Sequence, residues 1–342
     1  MASKLSAMFK KNFPDAMCAD IISEIEYLDS GIPSSNYVMS GKPFTGGISL
    51  NGKITVMYGT EGSGKTSYAN QLIAQAQKRD FEVLYIDSET TVTQDRIEQF
   101  GIDKNKDGFI YVVPDNMEQV FEMIEDACKE KIKDQDNIPL LIVWDTIAAT
   151  GTKDEIERTS YDKEIGSQSS VLTRNLRRIR PLLRKAGRVG CLFVNQARDN
   201  QEMYGDIFKM PGGRAIQHEG VIILRVNKIK PGETSQGVRI SSTKNKIFNP
   251  YQSTTIQFDY ARGFTKEYVI SAYSEFLKDI GLIGQSGAWC FLTDEIKAVV
   301  KEKNINIDTE SKFYLKDFTT KLLENEQFYK DILMLSEGYV AK

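Results

Sequence analysis

The 342-residue chain has one histidine, four cysteines and only nine prolines, and its 44 Lys and Arg do not outnumber its 47 Asp and Glu. Each shortage excludes something. His218 is the only imidazole, so catalytic schemes that need a second one are ruled out, and a packing or interface role is expected for it. Cys18, Cys128, Cys191 and Cys290 lie far apart with no CxxC or Cys/His spacing, which argues against a disulfide framework or a zinc site. No apolar run approaches the ~18 residues that span a bilayer, so no membrane partner is expected. The opening MASKLSAMFKKNFPDAM has lysines but no apolar stretch and no small-residue cleavage site, so it does not read as a secretory leader and a cytoplasmic location is expected. A net charge of −3 excludes coating nucleic acid by bulk positive charge; any such contact must be regional.

What is present is ordinary globular composition, 41% hydrophobic and 27% charged, in a chain long enough for two domains or one with an appendage. Residues 1 to about 30 combine a short basic segment, an amphipathic stretch over 19–28 and a turn-rich SGIPSSN. From residue 48 short apolar runs alternate with helical patterns: KITVMY, a helix over 65–78, VLYID, a helix over 93–100, FIYVV, a helix over 117–133, LLIVWD, a helix over 167–186, and CLFVNQ. This alternation predicts an α/β fold with a parallel sheet covered on both faces. After Gly220, VIILRVNKI, GVRISSTKNKI and STTIQFDY read as antiparallel strands extending that sheet. Beyond about residue 265 the pattern becomes helical around a short WCFLT, predicting a small separate α/β domain.

The most informative segment is Gly59-Thr60-Glu61-Gly62-Ser63-Gly64-Lys65-Thr66, placed between an apolar strand and a helix. It has the spelling and context of a phosphate-binding P-loop: glycines let backbone N–H groups close on phosphate oxygens, Lys65 reaches the β and γ phosphates, and Thr66 ligates Mg²⁺. Ser67 follows on the same helix turn. LLIVW ends in Asp145, a Walker B carboxylate that holds the Mg²⁺ through its water shell. VLYID runs into Asp87-Ser88-Glu89, which makes Glu89 a candidate general base, with a helix N-cap as the alternative. CLFVN ends in Asn195-Gln196, an amide pair able to bond a γ-phosphate and lose that bond on hydrolysis. The polar ARDNQEMYGDIFKMPGGRA behind it is too long for an idle loop.

Taken together, GTEGSGKT, YIDSE, VWDTIAA, FVNQARDN, MPGGRAI and KNKIFNPY, in this order and spacing over roughly residues 30 to 300, resemble the RecA-family recombinases. EFLKDIGLIGQSGAWCFL is similar to the small C-terminal domain of the bacterial members, while the loops leave room for a phage-type homologue of the UvsX sort. The resemblance implies a RecA-type ATPase core over 36–264 with a mostly parallel central sheet, a polymerisation arm over 1–35, and a small C-terminal α/β domain over 265–342. It implies ATP and Mg²⁺ at Gly59 to Ser67 and Asp145, catalysis by Glu89 and Lys65, and a γ-phosphate sensor at Gln196. Lys244 and Lys246 of KNK would act on the neighbouring subunit's ATP, and two cations spaced two apart on a strand face one side; a solvated turn is the alternative. DNA would lie between a loop near 164–171, followed by a helix carrying Arg174, Arg177 and Arg178, and a second loop over 197–213 with Arg198, Gly212, Gly213 and, next to it, Arg214. Those three helix arginines share a face at i, i+3 and i+4, although a solvated basic face has the same pattern.

Three positions depart from the family. Arg96 stands where a tyrosine stacks on adenine, implying weaker base stacking or a cation–π contact instead. Gln217 and His218 replace a lysine and a phenylalanine near the subunit interface. The function implied is an ATP-dependent recombinase that forms filaments on single-stranded DNA and pairs it with duplex; the alternatives are a hexameric helicase-like motor or a regulatory paralogue.

Overall fold

A computed structural model describes residues 4–12, 25–90, 92–133, 137–157, 167–199, 208–209, 213–302 and 312–341. In chain order the elements are α1 (Lys4–Asn12), β1 (Tyr27–Leu28), α2 (Pro33–Ser40), β2 (Ile48–Ser49), β3 (Asn51–Gly59), α3 (Lys65–Gln77), β4 (Glu82–Asp87), α4 (Gln94–Gln99) and β5 (Phe109–Val112). Then come α5 (Met117–Lys133), β6 (Leu140–Asp145), α6 (Lys153–Glu157), α7 (Ser167–Ala186), β7 (Val189–Gln196), β8 (Arg198–Asp199), β9 (Phe208–Lys209) and α8 (Gly213–Glu219). The last third holds β10 (Ile222–Ile229), β11 (Ser235–Asn245), β12 (Ser253–Asp259), α9 (Lys266–Asp279), β13 (Ile283–Ser286), β14 (Trp289–Leu292), α10 (Asp294–Glu302), α11 (Leu315–Glu324) and α12 (Glu326–Val340).

Eight strands form the central sheet in the order β12-β11-β10-β3-β7-β6-β4-β5. From β10 to β5 neighbouring strands run parallel, and β11 and β12 add to the far side antiparallel, as the change of texture after Gly220 predicts. Alternation within strands divides the core between the two faces. Met57, Tyr85, Val143, Leu192 and Leu224 pack with Tyr68 and Leu72 of α3 on one face. Val56, Ile86, Trp144 and Phe193 pack with Phe121 of α5 and Leu172, Leu176 and Ile179 of α7 on the other. Trp144 is wedged edge-on between Phe121, 5.6 Å away, and Phe193, 5.4 Å away, a geometry in which positive ring edges meet negative faces.

The expected two-sided cover holds at the centre of the sheet and fails at its end. β5 is the edge strand; Ile110 is 51% exposed, Tyr111 38%, and Val113 just beyond it 49%. FIYVV is apolar enough to read as buried, yet its position in the sheet leaves one flank without a neighbouring strand.

Of the amphipathic stretch expected over 19–28, residues 19–24 lie outside the described residues, and Tyr27–Leu28 pairs antiparallel with β2. Leu28 and Ile32 are fully buried in the core, and α2 packs on β11 and β12, so residue 35 falls within a core-packed helix. Thr265 caps α9, its hydroxyl accepting from Tyr268 N. α9 turns Val269 and Ala272 to the sheet-side core and Ile270, Tyr273, Phe276 and Leu277 to a third cluster with the β13–β14 hairpin and α10 to α12. Cys128, Cys191 and Cys290 are buried free thiols.

Candidate nucleotide-binding site

The sheet brings the tips of β3, β4, β6 and β7 to one edge. β3 ends at Gly59 and α3 begins at Lys65, so the P-loop closes within five residues. Gly62 and Gly64 have φ of 68° and 98°, a region that side chains rarely adopt. At Gly59 the limit is space: a Cβ would lie 2.2 Å from the Val226 carbonyl oxygen. The loop opens onto the N-terminus of the 13-residue α3, whose amide dipoles favour an anion.

Lys65 is 7% exposed and its ammonium donates to the Thr60 carbonyl at 2.8 Å. Burial lowers its pKa despite the pull of Asp145, Glu89 and Glu61. Asp145 is 2% exposed, and burial raises its pKa from 3.8 to about 7 although the Thr66 side chain bonds to it and Lys65 attracts it; Glu89 and Asp87 add repulsion. Acid and base are both driven toward neutrality, so desolvation outweighs their mutual attraction. A site in this condition gains when opposite charges enter it.

Two buried polar atoms support that reading: Ser63 Oγ and Asp145 Oδ1 have no hydrogen-bond partner among the described residues. Uncharged hydroxyl and carboxylate oxygens are the hard donors that Mg²⁺ takes, and a site with few protein carboxylates suits an ion that keeps waters and phosphate oxygens. Among the described residues no cluster of three His, Cys, Asp or Glu could cage a metal on its own. The residues present fit a magnesium–nucleotide complex.

Glu89 and Gln196, expected at separate strand tips as general base and γ-phosphate sensor, are in direct contact. Gln196 Nε2 donates to Glu89 Oε1 at 2.6 Å, and the Thr146 hydroxyl donates to the same oxygen at 3.1 Å. Ser88 N bonds the Asp145 carbonyl at 2.8 Å, locking the β4 tip to the β6 tip. Trp144 Nε1 reaches Ser88 Oγ at 3.2 Å and Thr150 Oγ1 at 3.0 Å, so the buried indole also orders the turn.

A cavity of about 300 Å³ lies over these groups, bounded by Glu61, Gly62, Gly64, Lys65, Thr66 and Ser67 on the loop side and by Glu89, Thr146 and Gln196 opposite. Arg96 closes one end. Its guanidinium donates to Ser67 Oγ at 3.2 Å and to Gln99 Oε1 at 3.1 Å, and sits 5.8 Å from the centre of the Phe258 ring. Gln236, Phe258 and Tyr260 complete the wall, and sequence reasoning missed all three. Gln236 Nε2 donates to the Gly62 carbonyl at 3.0 Å and Tyr260 OH to Gln236 Oε1 at 3.4 Å. They come from β11 and the end of β12, at positions outside every motif; only the strand order brings them here.

The KNK lysines lie elsewhere. Lys244 Nζ donates to the carbonyls of Gln217, His218 (3.2 Å) and Gly220 (2.7 Å), a cation on the C-terminal end of α8. Burial and Lys246 lower its pKa. Lys246 is exposed and lies just beyond β11, which ends at Asn245, its amide donating to the Val221 carbonyl at 3.0 Å. Asn245 instead ties the turn down, donating to the carbonyls of Val38 and Met39.

Arg174, Arg177 and Arg178 stand exposed along α7, opposite its buried Leu172, Leu176 and Ile179. Arg178 pairs with Glu125 at 3.5 Å; Arg174 and Arg177 form no ion pair with a described residue. Of the first expected DNA loop, residues 164–166 lie outside the described residues, as do 200–207 and 210–212 of the second, including Gly212. Arg198 and Lys209 are backbone partners in the short β8–β9 pairing, and Gly213 and Arg214 open α8. Gln217 and His218 are exposed on that helix.

A family model described as the RecA N-terminal domain matches residues 16–265. The protein RecA of Mycoplasma mobile is 31% identical over 288 residues, covering 82% of this chain and 79% of that one. RecA of Malacoplasma penetrans is 29% identical over 92% of this chain and 90% of its own length, and RecA of Aquifex aeolicus 29% over 80% and 77%. These matches do not favour a hexameric motor or a regulatory paralogue. The chain belongs to the RecA family of ATP-dependent recombinases, which are DNA-dependent ATPases.

Proposed function

We propose that ATP binds in the 300 Å³ cavity with its phosphates on Gly59 to Thr66, that Thr66 and Asp145 hold Mg²⁺, and that Glu89 is the general base of hydrolysis. The observation that carries this reading is the Gln196–Glu89 hydrogen bond beside Lys65. Mg²⁺ bound at Thr66 and Asp145 supplies charge neutralisation at the phosphates. Lys65, freed from the Thr60 carbonyl, reaches the β and γ phosphates. Glu89 orients and deprotonates the attacking water. Gln196 has two alternative partners, Glu89 or a γ-phosphate, and it is the last residue before the 197–213 segment, so its choice of partner is felt by that segment. Ser67 and Arg96 lie at the base end, where the guanidinium backed by Phe258 offers a flat cationic surface to a purine.

Arg174, Arg177, Arg178, Arg198, Gly212, Gly213 and Arg214 form the surface for single- and double-stranded DNA, contacting phosphates rather than bases. Lys244 and Lys246 serve the neighbouring subunit's nucleotide in a helical filament, which requires Lys244 to leave the α8 carbonyls. Residues 1–35, of which Leu28 and Ile32 pack in the core, carry the polymerisation arm, 36–264 act as the ATPase core and 265–342 as the C-terminal domain, and the protein works in the cytoplasm. No described helix is long and apolar enough to cross a membrane. A three-strand exchange assay with and without ATP, read beside electron micrographs, tests the reading. Filaments and ATP-dependent product are expected; rings, or ATP turnover indifferent to single-stranded DNA, would overturn it.

A further inference from the structure

Glu89 is carried on a turn whose shape depends on its neighbour Asp87. Asp87 is 1% exposed, and its Oδ1 accepts from both Glu89 N and Thr90 N at 3.0 Å. Thr90 has φ of 52°, a left-handed conformation that a β-branched residue holds only when its surroundings enforce it. The other ties of this turn are Ser88 N to the Asp145 carbonyl, Ser88 Oγ with Trp144 and Thr150, the Thr90 hydroxyl to the Glu89 carbonyl at 2.7 Å, and the Gln196 and Thr146 side chains to Glu89 Oε1. Among the described residues, the amides of Glu89 and Thr90 are fixed by Asp87 alone.

The second oxygen of Asp87 is held from another strand. Tyr111, on the edge strand β5, donates its hydroxyl to Asp87 Oδ2 at 2.8 Å, the only donor to that oxygen among the described residues. The ring is steered there by β-sheet register and by packing: Tyr111 is paired with Tyr85 across β4 and β5, and the two rings meet edge-on at 5.5 Å. Burial and the bond to Asp87 raise the phenol pKa, so the hydroxyl remains a donor.

We propose that Tyr111 is a positioning residue for hydrolysis: by holding Asp87 Oδ2, it fixes the rotamer through which Oδ1 shapes the turn, and so places Glu89 against the attacking water. This rests on the reading of Glu89 as general base. Without the hydroxyl, a buried carboxylate oxygen beside Asp145 has no donor, and Asp87 is free to rotate away from the two amides. A general base displaced by a fraction of an ångström loses rate and leaves the phosphate-binding loop untouched.

The test measures single-stranded-DNA-stimulated ATPase of the full chain for Tyr111→Phe, Glu89→Gln and the double variant, with ATP affinity and thermal melting recorded for each. Tyr111→Phe keeps the ring and removes only the hydroxyl. It is expected to lower kcat by roughly tenfold or more while KM for ATP stays within about twofold. In the Glu89→Gln background it is expected to cause no further loss, because its effect runs through Glu89. Unchanged kcat, a raised KM with kcat intact, lost ATP affinity, or the same fold-loss in both backgrounds would each overturn the positioning role. If Glu89→Gln alone turned over at the parent rate, the general-base reading would itself have failed; if Glu89→Gln were impaired and Tyr111→Phe were not, only this inference would fall.

Discussion

The carboxylates and amides at the β4, β6 and β7 tips are fixed by the chain itself, whereas two of the three α7 arginines proposed for DNA, Arg174 and Arg177, stand in solvent with no described ion-pair partner. Glu89 receives two side-chain hydrogen bonds on one oxygen and Asp87 three on two. Arg174 and Arg177 are exposed on α7. The contrast follows from what each group must do. Groups aimed at a water and a transferring phosphoryl lose rate when displaced, so they are preorganised. Groups that track a repeating backbone need charge and reach, and long solvated side chains supply both.

The largest effect that could break this contrast is at Glu89. Glu89→Gln keeps the size of the side chain and removes its basicity, so turnover is expected to fall by roughly 10²–10⁴ while ATP affinity is retained. Turnover near the parent rate would mean that the fixed half of the site is fixed for structural reasons. The solvated half should respond more gently. Arg174→Ala or Arg177→Ala is expected to weaken single-stranded DNA binding several-fold and to reduce the slope of log affinity against log salt by about 0.7 for each phosphate no longer neutralised. Arg178→Ala should do less, since Arg178 already pairs with Glu125. Equal effects at all three positions would remove the distinction between free and paired arginines.

The smallest effect is on stability. With a pKa of about 7 when folded, against 3.8 ordinarily, Asp145 keeps a proton in the folded chain that the unfolded chain has released. Stability from this group is therefore complete below about pH 4 and is lost as pH rises through about 7. Melting of the protein without Mg²⁺ or nucleotide should fall from about pH 5.5 to 7.5, and Asp145→Asn should flatten that decline; a slope unchanged in the variant would show that burial of Asp145 is not its source.

The fixed half was also the more legible in the sequence. Lys65, Thr66, Glu89, Asp145 and Gln196 all sit at or next to the ends of β3, β4, β6 and β7, and a parallel sheet gathers such ends at one edge. Local spelling therefore carried spatial information. It carried less where position depends on strand order. Gln236, Phe258 and Tyr260 reach the cavity only because β11 and β12 extend the sheet beyond β10, and Tyr111 reaches Asp87 only because β5 lies beside β4. The same limit explains β5, whose apolar residues read as core until the sheet ends there. Lys244 and Lys246 straddle the end of β11 at Asn245, where Lys244 is held on the carbonyls at the end of α8 and Lys246 is exposed, so the motif alone did not give the setting of either.

On the proposed reading, the Gln196–Glu89 contact ties the general base to the segment that follows β7. The most direct measurement is the ratio of ATPase rates with and without single-stranded DNA in Gln196→Asn, whose shorter amide cannot span the 2.6 Å contact without moving the strand tip. A ratio near one with ATP affinity retained is expected; stimulation equal to that of the parent chain would mean that the contact does not couple the two.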